Sequence, residues 1–134
     1  KGNKKMTDKN LNNLQLNLCN FSGTTQYYFI PPFTKLLYTD GLKYFMDNAG
    51  NGATWFYMII ATEILPKLKD DLFFIELKVK KDKSAKITVF RDKGEPILYK
   101  KEIEYTDCPP SETPYEFCID VYDEQQIICL LQER

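Results

Sequence analysis

Near residue 70 the apolar residues of this chain change their spacing from the helical interval to the strand interval, and no single class of secondary structure accommodates both halves. Upstream, Leu11, Leu14 and Leu18 recur on one helical face, with Asp8 as the expected N-cap. Thr24 or Thr25, after a turn at Gly23, is the expected cap of a single helical turn that Pro31 and Pro32 end. Leu42, Phe45, Met46 and Ala49 form a second stripe behind a Thr39 or Asp40 cap, and Gly50 stands where a left-handed C-terminal cap belongs. A third helix is expected over Ala53–Leu65, with Trp55, Met58, Ile59 and Thr62 on one side and Pro66 as the stop. It is apolar nearly all round, which marks it as the most buried helix. Downstream, Ile75, Leu77 and Val79 alternate with Glu76, Lys78 and Lys80, and shorter alternating runs follow at 85–91, 96–105, 117–121 and 126–131. In the third run Ile103 and Tyr105 alternate with Glu102 and Glu104. The order predicts an α+β fold in which three N-terminal helices pack on one face of a C-terminal five-stranded antiparallel meander. A chain of 134 residues suits a single α+β domain, with residues 1–9 expected to fray.

Composition removes several classes of function. The longest apolar stretch, Trp55–Ala61, falls far short of the ~20 residues that span a bilayer. The basic start runs into a segment broken by Asn and Gln, with no signal-peptide core, so a cytoplasmic protein with no membrane partner is expected. Histidine is absent, which removes Ser-His and Cys-His nucleophile pairs and two-His metal sites. The four cysteines, Cys19, Cys108, Cys118 and Cys129, lack zinc-knuckle spacing and read as reduced structural thiols. The expectation is a non-enzymatic protein with no catalytic, cofactor or metal residues.

Three clusters suggest a working surface, each with a plainer alternative. Lys78, Lys80, Lys81, Lys83, Lys86 and Arg91 crowd one hairpin and suit a phosphate backbone; the plain reading is a sheet edge kept soluble by lysine. From residue 102 onward nine acids face one base, whereas 67–101 hold eleven bases and six acids. Glu102, Glu104, Asp107, Asp120 and Asp123 therefore mark an acidic sheet region suited to charge-directed binding; the plain reading is solvent-facing strand positions. Tyr27, Tyr28 and Phe33 form an aromatic patch that fits an interface or simply covers one end of the core. Asp40 and Asp47, seven apart on one helix face, suit a metal or acid–base pair, but a cap and a surface residue explain them more simply. Asp107 beside Cys108 does not imply an activated thiol, since nothing cationic adjoins it in sequence.

The run Phe21-Ser22-Gly23-Thr24 with Tyr27-Tyr28, then Leu37 to Tyr44, Ala49-Gly50 before Trp55, and Ile103-Glu104-Tyr105-Thr106-Asp107 resembles a family of small uncharacterised bacterial proteins. Its members are associated with phages and other mobile elements, notably in Bacteroidetes and cyanobacteria. The resemblance covers roughly residues 20–131, and Asn51-Gly52 and the lysine hairpin depart from the pattern. It implies a mobile-element setting and brings no catalytic residue. The function expected from it is binding and inhibition of a host protein or ribonucleoprotein, such as an RNA-guided nuclease, in the manner of an anti-CRISPR protein. A single-stranded RNA- or DNA-binding accessory protein is the alternative, and a His-free metal-dependent hydrolase using Asp40, Asp47 or Glu63 is a third. Oligomeric state is left open.

Overall fold

The computed structural model describes residues 11–68, 71–92, 95–122 and 124–134. Its first helix, α1, spans Asn13–Leu18 and is capped by Asn12, whose side chain accepts from the Gln15 N–H while the Gln15 side chain accepts from the Asn12 N–H. The expected cap, Asp8, lies outside the described residues. Asn12 also donates to the Tyr115 hydroxyl at 2.8 Å, and Gln15 to the Thr113 carbonyl at 2.9 Å, so α1 is tied to the far half of the chain.

No helical turn forms between Gly23 and Pro31. Thr24 and Thr25 instead serve the next helix. Helix α2, Asp40–Asn48, is capped by Thr39 and ends at Gly50 with φ 67°. Helix α3 is α-helical over Thr54–Ile59 and widens into a π-helical turn over Ile60–Ile64, where the Leu65 N–H donates to the Ile60 carbonyl. Its buried side is Phe56, Tyr57, Ile60 and Ile64, all at 0% exposure, while Trp55, Met58 and Ile59 are half-buried and Thr62 is exposed. The side that carries Trp55, Met58, Ile59 and Thr62 is thus the outer one. With apolar residues on every side, the helix offered no period by which to choose between its faces.

The strands are β1 Leu36–Tyr38, β2 Leu72–Val79, β3 Ala85–Phe90, β4 Ile97–Ile103, β5 Tyr115–Tyr122 and β6 Gln125–Leu130. They form one mixed six-stranded sheet in the order β1-β6-β5-β2-β3-β4. This corrects the five-stranded antiparallel meander. The extra strand β1 comes from the helical half and pairs parallel with β6, Leu37 opposite Ile127. β5 also turns away from β4 to pair with β2, so the hairpins are not all consecutive neighbours. Three residues are too few to display an alternation, and a parallel partner some 90 positions away leaves no local mark. Tyr28 and Tyr38 exchange both backbone hydrogen bonds, at 2.9 and 2.8 Å, on the outer side of β1.

Phe73, Ile75, Leu77 and Val79 of β2, with Ile87 and Val89 of β3 and Tyr115, Phe117 and Ile119 of β5, point toward the helices. Phe117 sits 5.0 Å from Phe45 and 4.7 Å from Phe56, ring centre to ring centre. The opposite face carries Phe74, Glu76 and Lys78 of β2, Lys86 and Thr88 of β3, Glu116, Cys118 and Asp120 of β5, and Ile127 and Cys129 of β6. A final 3-10 turn, Leu131–Glu133, returns the chain to α2. There the Glu133 carboxylate accepts from the Thr39 hydroxyl (2.6 Å), the Gly41 N–H (2.9 Å) and the Leu130 N–H (2.9 Å). An acid at the very end of the chain therefore neutralises the positive start of a helix ninety residues earlier in sequence. No helix among the described residues is long and apolar enough to cross a membrane.

Candidate functional site

A groove of about 500 Å³ runs along the outer edge of β4 against the start of α3. Trp55 and Ile59 of α3 and Ile103 of β4 form its apolar walls, with Tyr105, 68% exposed, beyond the strand end. Asn51, Lys101, Glu102 and Asp107 supply the polar rim. An apolar lining with a few convergent polar groups is the ordinary make-up of a binding cleft.

Local sequence explains the shape. Gly50 and Gly52 both adopt positive φ, 67° and 124°, so the link between α2 and α3 folds tightly. The Asp107 carboxylate accepts from the Asn51 N–H at 2.8 Å and clamps that link to the segment leaving β4. On the other side the π-helical turn carries Glu63, which accepts from the Tyr99 hydroxyl at 2.7 Å and pairs with Lys101 at 3.1 Å. Tyr99 and Lys101 hold the Glu63 carboxyl below its usual range, while burial and the Glu63 contact push the Tyr99 hydroxyl up to about 12. At neutral pH Glu63 is ionised and Tyr99 protonated, so the pair acts as a fastening between α3 and β4.

Strand β4 ends the sheet order. Among the described residues no strand pairs with its outer side, in contrast to the β1 edge that Tyr28 covers. Its backbone donors and acceptors lie beside the apolar groove, the arrangement by which a sheet accepts a further strand.

The predicted clusters are distributed more widely than their sequence numbers suggest. Lys78 is half-buried and its ammonium donates to the Ser111 carbonyl at 2.7 Å and to that of Glu112, pinning the loop before β5. Lys86 stands between Lys78 and Glu102 in the neighbouring strands. Lys80, Lys81 and Lys83 occupy the β2–β3 turn, whereas Arg91 follows the other end of β3, about 20 Å along the strand. Glu102 is exposed at the groove edge and Glu104 is exposed just past the end of β4, Asp107 clamps Asn51, and Asp120 lies three strands from Glu102 in the sheet order, 3.5 Å from Arg134. Asp123 lies outside the described residues. In the aromatic patch Tyr27 is 53% exposed, but Tyr28 donates to Asp40 at 2.8 Å and Phe33 packs edge-on to Tyr57. Asp40 is further held by Thr25, and Asp47 is paired with Lys43 at 2.8 Å. All four cysteines are free thiols, and burial pushes the Cys108 thiol up to about 11.

Sequence reasoning missed the groove because its walls come from α3 and from β4, and no local pattern shows that Trp55 and Ile59 meet Ile103 and Tyr105. The surplus of large apolar residues around α3 was the available signal that one of its sides serves another purpose. The segments Ala49–Trp55 and Ile103–Asp107, which carried the resemblance, converge here, whereas Thr24, Thr25, Tyr28, Thr39, Asp40 and Gly41 converge on the start of α2.

Residues 12–134 match the family model described as a family of unknown function, DUF6876. The chain belongs to that family. Among curated proteins none matches. A solved structure titled as a protein of unknown function from Enterococcus faecalis is similar at 12% identity over 60% of this chain and 74% of that one, with a TM-score of 0.43. Membership agrees with the expected uncharacterised family and assigns it no activity.

Proposed function

We propose that this chain is a non-enzymatic interaction protein that takes an extended segment of a partner protein along the β4 edge. The observation that carries this reading is the coincidence of the end strand of the sheet with an apolar groove walled by Trp55, Ile59 and Ile103. Backbone pairing would supply affinity, and alternate side chains of the guest strand would enter the groove. Glu102 and Glu104 at the same edge favour a segment that alternates apolar with basic residues. The mobile-element setting implied by the resemblance makes the partner a host assembly, an RNA-guided nuclease being the case to try first.

The test uses a displayed library of extended peptides, followed by calorimetry on the best binder. Trp55→Ala should weaken binding roughly 30-fold, as expected for a central aromatic anchor worth about 2 kcal/mol. Lys86→Ala on the opposite face should leave it unchanged. Binding that ignores Trp55 sinks the groove reading. Binding to single-stranded RNA that falls steeply with salt and with neutralised hairpin lysines would favour nucleic acid instead. For the nuclease target, an interference assay in which wild-type protein gives no protection to phage removes that partner.

A further inference from the structure

We propose that Cys118, Asp120 and Cys129 form a binding site for one thiophilic divalent cation of the zinc class. Cys118 and Cys129 are eleven residues apart in sequence but stand directly opposite each other on β5 and β6, with their sulfurs 3.2 Å apart. Asp120 lies two residues along β5 from Cys118, so the pleat places both side chains on the same face. One ligand atom from each of the three residues falls within 4.8 Å of the others.

The donor set has the right chemistry. Two sulfurs and a carboxylate oxygen suit a tetrahedral ion of borderline softness. Metal–sulfur bonds of about 2.3 Å in a tetrahedron separate the sulfurs by about 3.8 Å, so the pair must open by only roughly 0.6 Å. Cys118 and Cys129 are 0% and 3% exposed and the Asp120 side chain 15%, which shields three vertices from water. The fourth faces a cavity of about 440 Å³ lined by Cys129, Asp120, Tyr122 and Arg134. Arg134 reaches only one Asp120 oxygen, through a single contact at 3.5 Å. Binding forms two metal–sulfur bonds and one metal–oxygen bond, and releases the two thiol protons to solvent.

The full chain, reduced and metal-free, is titrated with cobalt(II) and then zinc(II). One equivalent of cobalt should raise a thiolate-to-cobalt charge-transfer band that zinc removes, and zinc in 100-fold excess over its Kd should raise Tm by roughly 5–10 °C. Cys19→Ser should keep the band, Cys118→Ala and Cys129→Ala should abolish it, and Asp120→Asn should weaken binding about tenfold or more. If the alanine variants do not fold, native mass spectrometry of the wild-type chain decides, a single bound ion being the expected result. No band and no bound ion in the folded wild type would overturn the proposal. A band that persists in either folded alanine variant would do the same, as would reduced protein that ignores metal yet forms a 118–129 disulfide under peroxide.

Discussion

The Asp40 carboxylate accepts from the Thr25 N–H at 2.8 Å, the Thr25 hydroxyl at 2.9 Å and the Tyr28 hydroxyl at 2.8 Å, while its own N–H donates to Thr24. Led by the Thr25 N–H, these donors hold the carboxyl at about 2, below its ordinary 3.8. A carboxyl that titrates lower in the folded chain than in the unfolded one stabilises the fold above the unfolded value, and that contribution is lost as pH falls through the folded one. Stability should therefore decline between about pH 4 and pH 2 in the wild type, with Asp40 contributing part of the slope. Asp40→Asn should flatten that part, which urea midpoints at pH 5 and pH 2.5 will read; equal declines in both proteins would count against it. The same residue shows why a carboxylate pair at helical spacing is a weak sign of chemistry. Its partner in sequence, Asp47, is committed to Lys43.

At the scale of elements, β1 depends on α3. The Tyr57 ring is wholly buried and its hydroxyl donates to the Leu36 carbonyl at 2.6 Å, so the strand is fastened to the helix as well as to β6. Tyr57→Phe leaves a buried carbonyl without that donor and should cost about 1–3 kcal/mol in urea unfolding. Because Tyr57 lies on the buried side of α3 and Trp55 on the groove side, peptide affinity should be retained in the folded variant. The π-helical turn works in the same way at the opposite sheet edge, where Glu63 fastens α3 to Tyr99 and Lys101 of β4.

Over the whole molecule the two proposed sites lie apart on one sheet, the groove at an edge and the sulfur pair on interior strands. The groove lies on β4 and the sulfur pair on β5 and β6, with β2 and β3 between them. Three strand spacings separate β4 from β5 by about 14 Å, and the sites use opposite faces. They should be energetically independent. Cys118→Ala should leave peptide affinity within about twofold, and Trp55→Ala should leave the cobalt affinity equally unchanged, both by calorimetry. A larger cross-effect would mean that the sheet transmits strain between them. The charge contrast between residues 67–101 and 102–134 is real in sequence but does not map onto two separate faces, since Lys86 is paired in register with Glu102 and Lys78 with loop carbonyls.

What the sequence by itself determined were the features whose physics is local. The change of period located the helical and sheet halves, Thr39 and Gly50 marked the ends of α2, and strict alternation placed Ile75, Leu77 and Val79 inward. What only the tertiary structure decided were the features made by distant partners. A three-residue strand acquires its identity from β6, α3 chooses its buried side from the space left by Phe45 and Phe117, and Glu133 finds its role at a helix start it never adjoins in sequence. The groove and the sulfur pair belong to this second class. Each is assembled across sheet pairings or packed elements, and an alternation along one strand says which face a residue takes but not which strand will lie beside it.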